Sequence, residues 1–263
     1  MFEPVANRFK TILAPALLAG ASLGLSGCFI NINDVPGVPL DELQMAGAAP
    51  IEIALAGPDN VIVTTGETLN ITIEGGTNNE ELRFDLDGDS LNIGRDGDWL
   101  SGSEAATIRV TMPAPRSVVL AGSGNMEVAE IASDSEVNSA GSGSITLLSV
   151  DTKELEAVIA GSGSITAAGK TDALNMTIAG SGSARLGDLN AEEVEITIAG
   201  SGSVALASDG TVEATIAGSG SINVTGNATC KLESMGSGDL NCKPAETAPA
   251  PEKPSDDDTA TEE

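Results

Sequence analysis

The sequence predicts an all-β fold: a right-handed, single-stranded parallel β-helix, or β-solenoid, with coils of about 18–20 residues. Three observations predict it. A Gly-Ser-Gly element recurs with its first glycine at Gly122, Gly141, Gly161, Gly180, Gly200, Gly218 and Gly236, in steps of 19, 20, 19, 20, 18 and 18 residues. Apolar residues alternate with polar ones at a period of two on both sides of each copy, the mark of a half-buried strand. No segment shows the apolar spacing of a helix.

The register within the repeat follows from counting outward from the first glycine. Two residues before it stand Leu120, Ile159, Ile178, Ile198 and Ile216, and four before it Val118, Val137, Ala157, Met176, Ile196, Ala214 and Leu232. Four residues after it stand Met126, Ile145, Ile165, Ala184, Val204, Ile222 and Leu240. Outward positions between them hold Glu156, Glu195, Glu213 and Lys231, then Thr177, Thr197 and Thr215. Each repeat therefore reads as strand, tight glycine corner, strand, and a variable polar turn such as Asp151-Thr152-Lys153 or Gly187-Asp188-Leu189. One such unit cannot bury its own apolar face, and stacking at the inter-strand spacing of about 4.8 Å buries a continuous core. Parallel coils imply the right-handed winding, and seven corners give a rod of roughly 34 Å. A flexible Gly/Ser linker would not hold Ile and Leu in fixed register around every copy.

Residues 1–27 read as a targeting segment, with Arg8 and Lys10 before an apolar run too short to span a membrane as a helix. The run ends in Leu25-Ser26-Gly27-Cys28, which resembles the lipobox of bacterial lipoproteins. That resemblance implies a lipid on Cys28 and a chain held to a membrane by it. Phe29 rather than Asp follows the cysteine, which points to the outer membrane. Residues 28–46 read as a tether and 47–243 as the solenoid. Within it, 47–115 are irregular strands that begin the stack and cap its N-terminal edge, and 116–243 are the Gly-Ser-Gly repeats. Asp87-Gly88 between alternating apolar runs signals a hairpin. Residues 244–263, rich in Pro, Asp and Glu, hold too little apolar surface for a core and read as a disordered acidic tail.

The charge excludes some partners. With 39 Asp and Glu against 12 Lys and Arg, the chain carries −27, and loss of the net +1 on residues 1–27 leaves −28. Nucleic acid, whose phosphates need Lys and Arg, is excluded as a partner. Catalytic motifs are equally thin. There is no His and no Tyr. The Gly20 to Gly24 match to a hydrolase nucleophile elbow falls in the targeting segment. Asp85, Asp87 and Asp89 suggest a cation loop, but Ser90 stands where an EF-hand needs glycine and Asp96 where it needs glutamate, so a solvated turn is the reading. Only Phe84 and Trp99 could serve as aromatic platforms for sugar in the globular part. No catalytic residue, metal or cofactor is expected.

The two remaining cysteines read as a pair. Cys230 takes the place of Val212 and Val194 and Cys242 that of Val224 and Leu206, so both point inward, on opposite sides of the Gly236 corner. An exported compartment permits the disulfide, which would close the C-terminal end.

Asp-Gly-Asp-Ser-Leu-Asn-Ile at 87–93, Ala-Thr-Ile-Arg-Val-Thr-Met-Pro at 106–113 and Val118-Val119-Leu120-Ala121-Gly122-Ser123-Gly124 with its repeats follow one another. This order resembles the head GIN domain family, the autotransporter adhesin heads found in bacterial envelope lipoproteins. The resemblance covers about residues 47–243. It implies a β-solenoid, an exported location and a non-enzymatic adhesin-like or scaffold role toward a protein or glycan. No literal Gly-Ile-Asn occurs, the nearest being Gly220-Ser221-Ile222-Asn223, and no translocator barrel follows the repeats. The alternative is a β-helix enzyme acting on envelope or extracellular polysaccharide. Converging carboxylates with a Lys or Arg in a cleft on the flank would favour it, and a smooth wall would favour the binding module.

Overall fold

The structure is a computed structural model that describes residues 37–96 and 104–243. Residues 97–103, with Trp99, lie outside the described residues. So do the targeting segment with Cys28, the first part of the tether and the acidic tail.

The chain is a β-solenoid of stacked parallel coils. Each coil runs along one sheet, turns at a glycine corner and returns along a second sheet. The first sheet contains β1 (Glu52–Gly57), β7 (Ser117–Gly122) and β9 (Asp134–Gly141). It continues through the second halves of β10 (Ser144–Gly161), β11 (Ser164–Gly180) and β12 (Ser183–Gly200), then β14 (Thr211–Gly218) and β16 (Thr229–Gly236). The second contains β2 (Asn60–Thr65), β8 (Asn125–Glu130), the first halves of β10 to β12, β13 (Ser203–Ala207), β15 (Ser221–Thr225) and β17 (Asp239–Lys243). The core lies between them. Ile159, Ile178, Ile198 and Ile216 are fully buried, in the positions the alternation assigns them. Ser139 takes the same place one coil earlier. It is also buried, and its hydroxyl has no hydrogen-bond partner.

The corner sets the coil spacing. The first glycines, Gly122 to Gly236, have φ between +122° and +141°. The carbonyl of each from Gly122 to Gly218 accepts a hydrogen bond from the serine N–H of the next coil, as from Ser181 to Gly161 and from Ser201 to Gly180, both at 2.9 Å. A Cβ on the next coil's first glycine would stand 2.2–2.6 Å from such a carbonyl oxygen, closer than any real contact. The second glycine serves packing: a Cβ at Gly202 would lie 2.6 Å from Cγ2 of Ile178. Glycine pairs with glycine at every corner, down to Gly57 beneath Gly122.

The opposite corner departs from the sequence reading. Polar turns were expected at Asp151-Thr152-Lys153 and Gly187-Asp188-Leu189, yet β10, β11 and β12 run through these places as continuous strand. Asp151 pairs with Lys170 and Thr152 with Thr171. Thr152 and Thr171 are buried, and their polar groups are satisfied locally: Thr152 Oγ1 donates to Thr171 Oγ1 at 2.9 Å, and Thr171 Oγ1 donates to the Ala173 carbonyl at 2.8 Å. The register shifts between coils fall here, between Leu147 and Val150, Thr166 and Ala168, and Leu186 and Asn190. With the glycine corner locked, length differences between coils are absorbed at the other edge as bulges.

The N-terminal cap reverses the stacking order. β5 (Ser90–Arg95) and β6 (Thr107–Met112) add a parallel layer beneath β1 and β2, on the side away from β7 and β8. β3 (Asn70–Glu74) lies antiparallel on β6 and β4 (Leu82–Asp87) antiparallel on β5. Val38 exchanges hydrogen bonds with Phe84 on the outside of β4, both 2.9 Å. β4 and β5 form the hairpin expected at Asp87-Gly88, with Gly88 at φ +61° as first residue of a two-residue turn.

Two sets of variants test this architecture. Gly180→Ala should cost roughly 3 kcal/mol or more, from strain and overpacking together, while the adjacent exposed Ser181→Ala should stay within about 0.5 kcal/mol. Ile198→Asp puts an unpartnered charge in the core and should cost several kcal/mol, and Thr197→Asp far less. Thermal unfolding of the four variants measures both contrasts, and equal losses within either pair would overturn the register.

Candidate functional surface

The outer faces of the coils are arranged in columns, because the strands stack in register. On the first sheet Glu136, Glu156, Glu195 and Glu213 follow one another in a single column, interrupted by Asn175 and ended by Lys231. Beside it stand Asp134, Glu154 and Glu193, and on the other side Thr177, Thr197 and Thr215. Neighbours in a column are about 4.8 Å apart along the strand-stacking direction. Lys231 lies 4.0 Å from Glu213 and 3.3 Å from Glu233, and Lys170 lies 3.3 Å from Asp151. These pairs are exposed and offset little of the repulsion. The wall is regular, acidic and without an inserted loop between Ser117 and Lys243.

A shallow depression lies at the cap rather than on the flank, lined by Pro39, Leu40, Asp41, Glu42, Ile73, Asn79 and Glu80. It contains carboxylates but no Lys or Arg, and so lacks the combination that would favour a polysaccharide-cleaving enzyme. Among the described residues no group of three or more His, Cys, Asp or Glu is placed to hold a metal ion. Asp85 and Asp87 lie on β4, paired with Asn92 and Ser90, and the carbonyl of Asp89 accepts from the N–H groups of Ile51 and Glu52. The structure thus gives this stretch a structural task, tying the hairpin to β1.

The cap holds a buried ion pair that sequence reading missed. Asp59 and Arg95 are both buried. Arg95 donates from Nε to Oδ2 and from Nη2 to Oδ1 of Asp59, each at 2.8 Å. Arg95 Nη1 donates to the carbonyls of Asn78 and Thr77, and the N–H of Ala106 donates to Asp59 Oδ1. The hydrogen bonds to Asp59 raise the guanidinium pKa above its already high value, against the opposing effect of burial. Asp59 ends the corner Gly57-Pro58-Asp59, which stands in the place of a Gly-Ser-Gly. That substitution at the corner was the one available signal.

At the other end Cys230 and Cys242 are joined by a disulfide, with Cα atoms 6.7 Å apart across the last coil. Cys28 lies outside the described residues. Among the described residues no helix is long and apolar enough to cross a membrane.

Comparison with known proteins places this geometry. The family model described as "putative auto-transporter adhesin, head GIN domain" matches residues 49–228, more than half of the chain. The chain belongs to the head GIN domain family. The solved structures it resembles share its fold at low identity. A protein of Bacteroides fragilis NCTC 9343 described as a putative adhesin is 18% identical with a TM-score of 0.66, over 74% of this chain and 93% of its own. One of Parabacteroides distasonis ATCC 8503, described as a putative lipid binding protein, is 21% identical with a TM-score of 0.61, over 76% and 94%. A putative adhesin of Parabacteroides merdae ATCC 43184 is 21% identical with a TM-score of 0.56, over 74% and 92%. No curated protein matches. This head GIN domain therefore shares its fold with these proteins.

The columns of carboxylates predict a salt response. Raising NaCl from about 0.01 M to about 0.5 M shortens the screening length from roughly 30 Å to a few Å. The Tm of this head GIN domain should rise by roughly 4 °C or more as the columns stop repelling, on the order of 1–2 kcal/mol. Calorimetry at both salt levels checks this, and an unchanged or lower Tm would show that the columns are not under repulsion.

Proposed function

We propose that this chain is a lipid-anchored, non-enzymatic envelope protein whose solenoid presents an adhesin-like or scaffold wall to a protein or glycan ligand. The observation that carries the reading is the wall of in-register columns on the first sheet from β9 to β16, with no inserted loop, in a member of a family described as adhesin heads. A flat, repeating surface offers many equivalent weak contacts along its length, so avidity rather than one deep pocket supplies the affinity. Its charge disfavours polyanions and favours neutral glycans or basic protein surfaces. Cys28 is the proposed lipid attachment site, and Phe29 after it supports delivery to the outer membrane. Membership of the family supports an envelope or surface location.

The anchor is tested by metabolic labelling with a fatty acid analogue. The wild-type chain should incorporate label and sediment with outer membranes, and Cys28→Ala should lose the label and appear in the soluble fraction. A membrane-bound, unlabelled protein in both forms would overturn the lipid anchor. Retention of glycans or envelope proteins on the immobilised full chain, abolished by reversing charges along Glu156, Glu195 and Glu213, tests the wall. Ligand release as cleaved product would instead establish the polysaccharide-degrading alternative.

A further inference from the structure

The two ends of the stack are finished differently. The N-terminal end is covered by antiparallel β3 and β4, with Val38 bridged to β4. At the C-terminal end, among the described residues, β16 pairs only with β14 and β17 only with β15. Of the three large apolar side chains exposed among the described residues, two are on β16: Leu232 at 37% and Met235 at 72%. Leu232 stands in register with the buried Ala214, so its side chain belongs to the core and lacks only a further coil.

The backbone of this end has a definite parity. Thr229 N–H donates to the Gly210 carbonyl at 2.8 Å and Ser237 N–H to the Gly218 carbonyl at 2.9 Å, so odd-numbered residues of β16 turn toward β14. Alternation then turns the N–H and C=O of Cys230, Leu232 and Ser234 to the open edge. On β17, Asp239 N–H donates to the Gly220 carbonyl and the Lys243 carbonyl accepts from Gly226 N–H, both at 3.1 Å. Leu240 and Cys242 therefore face the open edge.

We propose that this end pairs with the same end of a second copy of the chain, β16 against β16 and β17 against β17, antiparallel, about a two-fold axis through Leu232 and Leu240. Three observations select that occupant and register. Leu232 and Leu240 lie four residues before and after Gly236, at one level across the core, just as the joined Cys230 and Cys242 lie six before and after it. One axis thus serves both sheets, and both leucines have the edge-facing backbone that an antiparallel hydrogen-bonded pair needs. In this register Lys231 faces the partner's Glu233 and Glu233 the partner's Lys231, which is charge-complementary. The last coil is also electrically neutral, Lys231 and Lys243 against Glu233 and Asp239, whereas β12 and its turns carry Arg185 against Asp188, Glu192, Glu193 and Glu195. Two coils of the latter kind would repel one another. The sequence after Lys243 is a poor cover, with four prolines and, proline aside, no apolar residue larger than alanine.

Sedimentation equilibrium and native mass spectrometry of the full chain test the pairing. A monomer–dimer equilibrium is expected, with no higher species, because the two-fold contact uses up both open edges. Lys231→Glu sets two like-charged contacts across the axis and should weaken dimerisation roughly tenfold or more, and the exchange Lys231→Glu with Glu233→Lys should restore it. Amide exchange at Cys230, Leu232, Ser234 and Leu240 should slow as concentration rises. A monomer at all concentrations, protection independent of concentration (the mark of the chain's own tail), or a dimer indifferent to these charge changes would overturn the proposal.

Discussion

The stack depends on the approach of one glycine to another. At each front corner the carbonyl of a glycine accepts a hydrogen bond from the serine N–H of the following coil, and the next coil's glycine passes so close that no Cβ fits. The left-handed backbone conformation alone would favour glycine there, but the contact makes it obligatory. Everything else follows from that lock. The sheets are in register because the corners are, the isoleucines two residues earlier stack because their strands do, and the second glycine leaves room for the isoleucine of the coil before. Variation in coil length cannot be taken up at a locked corner, so it appears as register shifts along the opposite edge, where threonine hydroxyls satisfy one another.

The same regularity sets the character of the surface. In-register stacking turns one outward glutamate per coil into a column of carboxylates, held together by backbone hydrogen bonds and a shared core. A surface of this kind can be long and uniform. The two ends face the opposite problem, since a periodic stack does not terminate itself. The N-terminal end solves it with irregular strands and a fully hydrogen-bonded Asp59–Arg95 pair. Loss of one partner there would leave a buried charge and cost about 3–5 kcal/mol. The C-terminal end is stapled by Cys230 and Cys242, and among the described residues no strand lies beyond β16 and β17.

Much of the fold was legible in the amino-acid sequence, and for a physical reason. Where a repeat recurs every 18–20 residues, the same local pattern is written many times, and alternation assigns each side chain to the core or the exterior. Ile198 inside, Thr197 outside, the glycine corners and the facing of Cys230 toward Cys242 could all be read by counting. Family membership could be read from the same residues. Alternation names a face but not a neighbour, however. Nothing local told that β5 and β6 lie beneath β1 and β2, that β3 and β4 run antiparallel, or that Asp59 meets Arg95, 36 residues later. Those pairings are decided by which open edge each cap strand can cover. Nor could the continuous strand through Thr152 and Leu189 be read from polar residues that suggest a turn. Their backbone pairs with the adjacent coils and the Thr152 hydroxyl donates to Thr171 of the next one, partners that only the stacked structure supplies.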